Sequence, residues 1–492
     1  MYFKLKSNVI FRNYESFGYL TDNRNFGYKH LNDDINDIGD KILSESGAVF
    51  ISVLDKKAQS IYDIATKIKK YYVDVDIETI KNDARDLYSI LEQDGFIISG
   101  ETFQKCNEKV ESLSSRKLVS ENSTKDYYTL KNGSEKRTQD FFEEFNNGKP
   151  MLTNMHIEIT SMCNERCIHC YIPHENKINH IQPELFYEII EQCKELRLIH
   201  LTISGGEPML HKNFCNFLRI INDNNFSVNV LSNLTLLTDE IIDEMKLNPL
   251  LGVQVSLYSM NPYVHDKITG INGSFERTKK AIIKLIDNHI PLQISCPILK
   301  ENKDCYNDVK EWAKKLKIQV GDDYVIIARY NHTTQNLDCR LSINEIKDLI
   351  YSKITKDKSY LEKLEMEARN EENISLDDYV CSICHSSICI ADNGDVYPCA
   401  GWQDYVVGNV KQTSLKDIWE RSEKVLYLRN LRKKDFPKCI QCADRMFCTM
   451  CMVRNANENP SGDPLKVNEF YCNISKSYRE IVNDWKSRKI NS

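Results

Sequence analysis

From residue 151 onward, short apolar runs rich in β-branched residues alternate with amphipathic stretches, and that rhythm leaves few architectures open. The runs NMHIEIT (154–160), IHLTISG (199–205), SVNVLSN (227–233), LGVQVSLYS (251–259), PLQISCPIL (291–299) and YVIIARY (324–330) read as six strands. Between them PELFYEIIEQCKEL, FCNFLRIINDN, DEIIDEMK, SFERTKKAIIKLIDNH and YNDVKEWAKKLK read as helices. Such units build a parallel sheet, because a parallel return needs a crossover. Six units fall short of the eight that close a barrel. The expected core is therefore α/β, an open, partial (β/α)6 barrel over residues 151–345, with ligands at the carboxyl ends of its strands.

Length and charge narrow the rest. A chain of 492 residues exceeds one ordinary core. Its net charge of −6 lacks the basic excess of a nucleic-acid protein. No apolar run approaches the ~18 residues of a membrane span. The start, MYFKLKSNVIF, interrupts its apolar residues with polar ones, unlike a signal peptide. A cytoplasmic protein with no nucleic-acid or membrane partner is expected.

Ahead of the core, residues 1–105 read as short aromatic strands followed by three helices, a winged-helix-like unit. Ser60 and Asp63 have capping-box spacing, and Ile77, Ile80, Leu87 and Leu91 share one helical face. Residues 106–150 read as a polar linker, partly helical near DFFEEF. Behind the core, a charged connector (346–375) leads to a cysteine-rich region (376–492). There Asn393–Gly394 marks a hairpin turn and SKSYREIVNDWKSRK a closing helix.

Eighteen cysteines in a reducing compartment point to metal or redox chemistry. Three lie at 163–170, four at 381–399 and five at 439–472. Cys163, Cys167 and Cys170 follow the first strand directly, spaced C-x3-C-x2-C, with Tyr171 next. Thiolates are soft ligands that suit iron–sulfur clusters or zinc. A [4Fe–4S] cluster takes four ligands, so three leave one iron open. Cys193 shares a helical face with Phe186, Ile189 and Ile190, Cys215 neighbours Phe214 and Phe217, and Cys296 and Cys389 lie in strand runs; all four read as packed thiols.

The C-x3-C-x2-C-aromatic loop after the first strand resembles that of the radical S-adenosylmethionine (SAM) enzymes. So does the GGEP turn, Gly205, Gly206, Glu207 and Pro208, after the second strand. The resemblance implies that Cys163, Cys167 and Cys170 hold a cluster whose open iron chelates SAM. It also implies that Tyr171, the GGEP turn, Asn233 and Ser256 contact SAM. Reductive cleavage of the sulfonium–carbon bond then yields a 5′-deoxyadenosyl radical that abstracts hydrogen. His169 is expected to pack over the cluster, and Tyr258, Arg329 and Tyr330 fall near strand ends facing substrate.

The later cysteines resemble the SPASM extension of that family. Cys384 precedes Gly394 and Cys399, and CIQCADRMFCTMC supplies Cys439, Cys442, Cys448 and Cys451, with Cys472 beyond. The Cys448–Cys451 spacing is one residue short of the pattern. The resemblance implies two auxiliary [4Fe–4S] clusters. One is on Cys381, Cys384, Cys399 and Cys451, with either Cys381 or Cys384 as principal ligand. The other is on Cys439, Cys442, Cys448 and Cys472. A zinc ribbon would space its C-x2-C pairs by about 15–20 residues, far more than here.

Residues 1–105 resemble the PqqD-like peptide-recognition domain of ribosomal-peptide (RiPP) maturases. Such a domain binds a leader peptide by adding a strand to a sheet edge, with helix 77–92 as the other wall. A DNA-binding or dimerising winged helix is the bland alternative. The implied activity is oxidative cross-linking of a precursor peptide, through a thioether or carbon–carbon bond. Flavodoxin or ferredoxin would donate electrons. The alternative is a formylglycine-generating enzyme of the anaerobic sulfatase-maturase type.

Overall fold

The β-branched runs of the core find partners on both sides, and this decides the sheet. The computed structural model describes residues 1–14, 16–23, 28–30, 39–109, 114–116, 127–129, 135–137, 142, 145–146, 148–371, 375–448 and 450–490. Six parallel strands lie side by side in chain order: Asn154–Thr160, His200–Gly205, Ser227–Ser232, Leu251–Ser256, Leu292–Ser295 and Val320–Gly321. Helices Pro183–Glu195, Phe214–Asp223, Asp239–Lys246, Ser274–Asp287 and Tyr306–Lys315 connect them. Met155, Ile157 and Ile159 on one strand face join Phe186, Phe217 and Ile282 of these helices in the main core. Among the described residues the first and sixth strands do not pair, so the sheet stays open.

The opposite strand face is polar. Register aligns His156 with Thr202 and Asn229, Glu158 with Ser204, Gln254 with Gln293, and Ser256 with Ser295. Side chains alternate across a strand, so these rows share the inner side of the sheet.

The sixth strand corrects the sequence expectation. It is Val320–Gly321, not the apolar run at 324–330. The carbonyls of that run go to side chains instead of a ladder. Tyr471 Oη donates to Ile326 O (2.9 Å), Asn336 Nδ2 to Ile327 O (2.8 Å) and Asn457 Nδ2 to Ala328 O (3.1 Å). An additional helix, Pro262–Thr269, ends in left-handed Gly270 beneath the cysteine loop.

The hairpin forms where Asn393–Gly394 predicts it, between Ser387–Ile390 and Asp395–Tyr397. Its first strand adds in parallel to Asn154–Ile157, joining the cysteine-rich region to the core sheet. The closing helix runs Glu469–Ile490 and carries Cys472 in its first turn. Helices Ile343–Lys356 and Lys358–Glu371 occupy much of the expected charged connector.

In the N-terminal part, Ile10–Tyr14, Phe17–Thr21 and Asp40–Leu43 form one antiparallel sheet. Tyr2–Leu5 pairs with Gln59–Ser60 and Ile97–Gly100 in another. Helices Glu45–Ser52, Ile61–Ile68 and Ile77–Gln93 follow, with Ser60 Oγ capping the second. Arg12 fixes this unit to the core by donating to Leu198 O (2.6 Å) and Asn225 O (2.8 Å). Those carbonyls lie just past the ends of two core helices, where a cation meets the negative end of the helix dipole. Most of the polar linker, including nearly all of DFFEEF, lies outside the described residues. Among the described residues no helix is long and apolar enough to cross a membrane.

Candidate functional site

The three-cysteine loop leaves the carboxyl end of the first core strand and is held by backbone on every side. Ser161 N donates to Asn179 O (3.0 Å), Arg166 N to Thr269 O (2.8 Å) and Ile168 N to Ile268 O (3.0 Å). From the second strand, Gly206 N donates to Thr160 O (2.7 Å) and Glu207 N to Met162 O (2.8 Å). The two glycines permit this approach. A Cβ on Gly205 would sit 1.9 Å from Thr160 O, and one on Gly206 2.1 Å from Met162 O. Gly205 also has φ +130°, a conformation that favours glycine. The GGEP turn therefore shapes the cysteine loop itself.

Glu207 carries the contact onward. Its buried carboxylate accepts from Met209 N (3.0 Å), Ser232 Oγ (2.8 Å) and Asn233 N (2.8 Å). Burial pushes its pKa up to about 7 despite these donors. Asn233 Nδ2 donates to Asn164 Oδ1 (2.9 Å), returning to the cysteine loop. Ser256 ends the fourth strand and hydrogen-bonds with Tyr258. Pro208 opens a buried single turn.

Around the thiols, Cys163 Sγ accepts from Glu165 N (3.4 Å), and Cys167 feels the charges of Glu165, Cys170 and Cys163. Burial pushes Cys163 up to about 11, with Lys177 opposing the shift. Lys177 also bears on Cys167. This buried lysine sits where thiolates need a counter-charge, a feature that loop spacing alone does not reveal. Desolvation lowers the pKa of His169 to about 4, and its ring meets Tyr258 edge-on at 5.2 Å.

The other cysteines gather in two groups. Cys399 feels Cys451, Cys381 and Cys384, while Cys439 feels Cys448, Cys472 and Cys442. These neighbours are the residues of the two quartets that the resemblance implies, drawn from a loop, a hairpin and the closing helix. Burial pushes Cys381 and Cys439 up to about 11, and Cys384 and Cys399 to about 12. Left metal-free, such thiols stay neutral; bound metal holds them as thiolates. Cys389 is buried on the hairpin strand beside Cys399, and Cys193 and Cys296 belong to the core as packed thiols. Cys215 packs at the core's margin.

The donor sets fit iron–sulfur clusters: soft, clustered thiols near strand ends, with none of the eighteen in a disulfide. Among the described residues no three His, Cys, Asp or Glu converge as one metal ion would need. A cubane is larger and draws its thiolates from wider apart.

Beside the cysteine loop lies a cavity of about 260 Å³, lined by Glu158, Thr160, Asn176, Tyr330, Asp392 and Gln403 among others. Tyr330 lines this cavity, and Tyr258 lies against the cysteine loop; Arg329 is not in the lining. Glu158 is the site residue that motif reasoning passes over. The signal was present in NMHIEIT, where His156, Glu158 and Thr160 alternate with Met155, Ile157 and Ile159.

Comparison with known proteins gives the same outline. A model of the radical SAM superfamily matches residues 157–313, and one of an iron–sulfur cluster-binding domain, SPASM, matches residues 381–443. The chain is a radical SAM/SPASM-domain protein. It is accordingly a radical SAM oxidoreductase. This radical SAM/SPASM protein is 24% identical to the AdoMet-dependent heme synthase of Methanosarcina barkeri, over 60% of its own length and 90% of that protein. It is 25% identical to the antilisterial bacteriocin subtilosin biosynthesis protein AlbA of Bacillus subtilis, over 63% of its length and 69% of AlbA. Its fold matches that of Streptococcus suis SuiB, solved bound to precursor peptide SuiA, with a TM-score of 0.59 at 17% identity. That match covers 96% of this chain and 99% of SuiB. The structure of anSMEcpe with bound AdoMet matches with a TM-score of 0.53 at 17% identity, covering 70% of this chain and 96% of that one.

Proposed function

We propose that the protein is a peptide maturase that abstracts a hydrogen atom from a ribosomally made precursor peptide and installs an oxidative cross-link, a thioether or carbon–carbon bond. In this reading Cys163, Cys167 and Cys170 hold the SAM-binding cluster, and the two later quartets hold auxiliary clusters. Tyr171, Gly205, Gly206, Glu207, Pro208, Asn233 and Ser256 form the SAM site. Bound there, SAM and a reduced [4Fe–4S] cluster supply the 5′-deoxyadenosyl radical. The chain's own residues aim and enclose. Lys177 balances the thiolates, the GGEP turn fixes the loop, and the polar inner rows from His156 to Ser295 offer hydrogen bonds to a peptide entering the mouth. The auxiliary quartets provide an exit for the second electron. An external donor such as flavodoxin or ferredoxin starts the cycle.

The observation that carries the peptide reading is in the N-terminal unit, which is read as a winged-helix-like, PqqD-like domain over residues 1–105. Strand Asp40–Leu43 is paired on one side only among the described residues. Next to it a groove of about 390 Å³ runs between Phe50, Tyr72, Val75, Ile80 and Leu87. An extended leader can add a strand there and seat its apolar side chains in the groove. The likeness to SuiB extends over this unit. The formylglycine alternative leaves residues 1–105 without a task. Co-expression with candidate short precursor peptides, followed by mass spectrometry, tests the reading. A peptide lighter by two hydrogen atoms is expected, and an unmodified peptide with active enzyme would overturn it.

A further inference from the structure

The aromatic residue that closes the cysteine loop is held by the far end of the chain. Tyr171 Oη donates to Glu158 Oε1 at 3.1 Å, and Tyr171 O accepts from Tyr330 N at 3.2 Å. Where Gly401 lacks a side chain, a Cβ would stand 3.8 Å from the Tyr171 ring. Asn457 Nδ2 fixes that backbone by donating to Gly401 O at 2.7 Å. The second oxygen of Glu158 accepts from Tyr397 Oη and Gln403 Nε2. Tyr397, Gly401, Gln403 and Asn457 all belong to the cysteine-rich region, whereas Tyr171 directly follows Cys170.

Glu158 is the group both sides share. It is 4% exposed, points inward from the first core strand and borders the cavity. Its hydrogen-bond partners are all neutral, and burial raises its pKa to about 7. Stability alone would be served as well by apolar packing at this position, since a buried carboxylate must recover its desolvation through hydrogen bonds. What the carboxylate adds is direction: two acceptor oxygens hold three donors from three segments in one arrangement.

We propose that Glu158 is a positioning residue for the SAM site: by anchoring the Tyr171 hydroxyl it makes SAM affinity depend on the cysteine-rich domain. The inference rests on assigning Tyr171 to that site. Reconstituted wild type, Glu158→Ala, Glu158→Gln, Tyr171→Phe and Tyr397→Phe are titrated with SAM under dithionite, with 5′-deoxyadenosine followed for KM and kcat. In parallel, iodoacetamide alkylation of Cys170 in the unloaded chains is timed by mass spectrometry. Glu158→Ala and Tyr171→Phe should raise KM about tenfold, since both remove the buried hydrogen bond that anchors the Tyr171 hydroxyl, with kcat little changed. Tyr397→Phe should raise it about threefold. Glu158→Gln, whose amide oxygen still accepts from Tyr171, should stay near wild type. Cys170 alkylation should accelerate in the same order.

A merely structural Glu158 would lower the unfolding temperature and leave KM in place. Unchanged KM in Glu158→Ala and Tyr171→Phe overturns the proposal whatever alkylation does; should Glu158→Ala fail to fold, Tyr171→Phe decides. If wild type releases no 5′-deoxyadenosine, the function reading fails instead. Unchanged Cys170 alkylation would then overturn the anchor as well, and accelerated alkylation would support it.

Discussion

The two cysteine fields use one ligand type in opposite ways. The first places three thiols on a single loop clasped by backbone hydrogen bonds from the GGEP turn and from helix Pro262–Thr269. The second collects eight thiols from segments as far apart as Cys381 and Cys472, in two groups of neighbours. A loop that holds three ligands rigidly leaves a coordination position free and keeps it aimed. Quartets built across a hairpin, a loop and a helix tie distant chain together. Under the proposed function, the difference separates a site that binds and splits a ligand from sites that carry electrons and brace the fold.

Five variants probe that contrast, from the largest effect to the smallest. Gly206→Ala should abolish SAM cleavage and destabilise the chain by about 3 kcal/mol or more, because its Cβ collides with backbone and not with a mobile side chain. Thermal unfolding and 5′-deoxyadenosine assays read both losses. Cys451→Ala and Cys472→Ala should each remove about four iron atoms per chain while SAM cleavage without peptide survives within about threefold. Loss of all iron from either would mean that the two fields are not independent. Lys177→Met should slow alkylation of Cys163 in the unloaded chain about threefold, since a nearby cation favours the thiolate.

The smallest effect is a pH slope. Glu207 titrates near 7 when folded, above its ordinary 4.5. The folded state therefore holds this proton more tightly, so the contribution to stability is full below about 4.5, falls as pH rises and levels off above about 7. Glu207→Gln lacks that component. The unfolding midpoint of the variant relative to wild type should rise across this window and stay flat above it.

How much of this was legible follows the range of the interactions involved. The core helices and the first five strands show in local periodicity, and the hairpin in its Asn393–Gly394 turn. The run at 324–330 misleads because its apolar pattern resembles a strand. Only the tertiary fold reveals that Tyr471, Asn336 and Asn457 take its carbonyls. The three-thiol loop and the GGEP turn are readable because their chemistry is compressed into short motifs. Lys177, Glu158 and the Arg12 anchor are not, since each acts through partners remote in sequence. Glu158 reaches Tyr397 and Gln403, and Arg12 reaches the ends of two core helices.

The most direct test of the contrast is anaerobic reconstitution followed by reduction with dithionite in the presence of SAM, measuring iron and released 5′-deoxyadenosine together. The account predicts about twelve iron atoms per wild-type chain and steady release, with about eight iron atoms and no release in Cys163→Ala. Undiminished release from Cys163→Ala would contradict it.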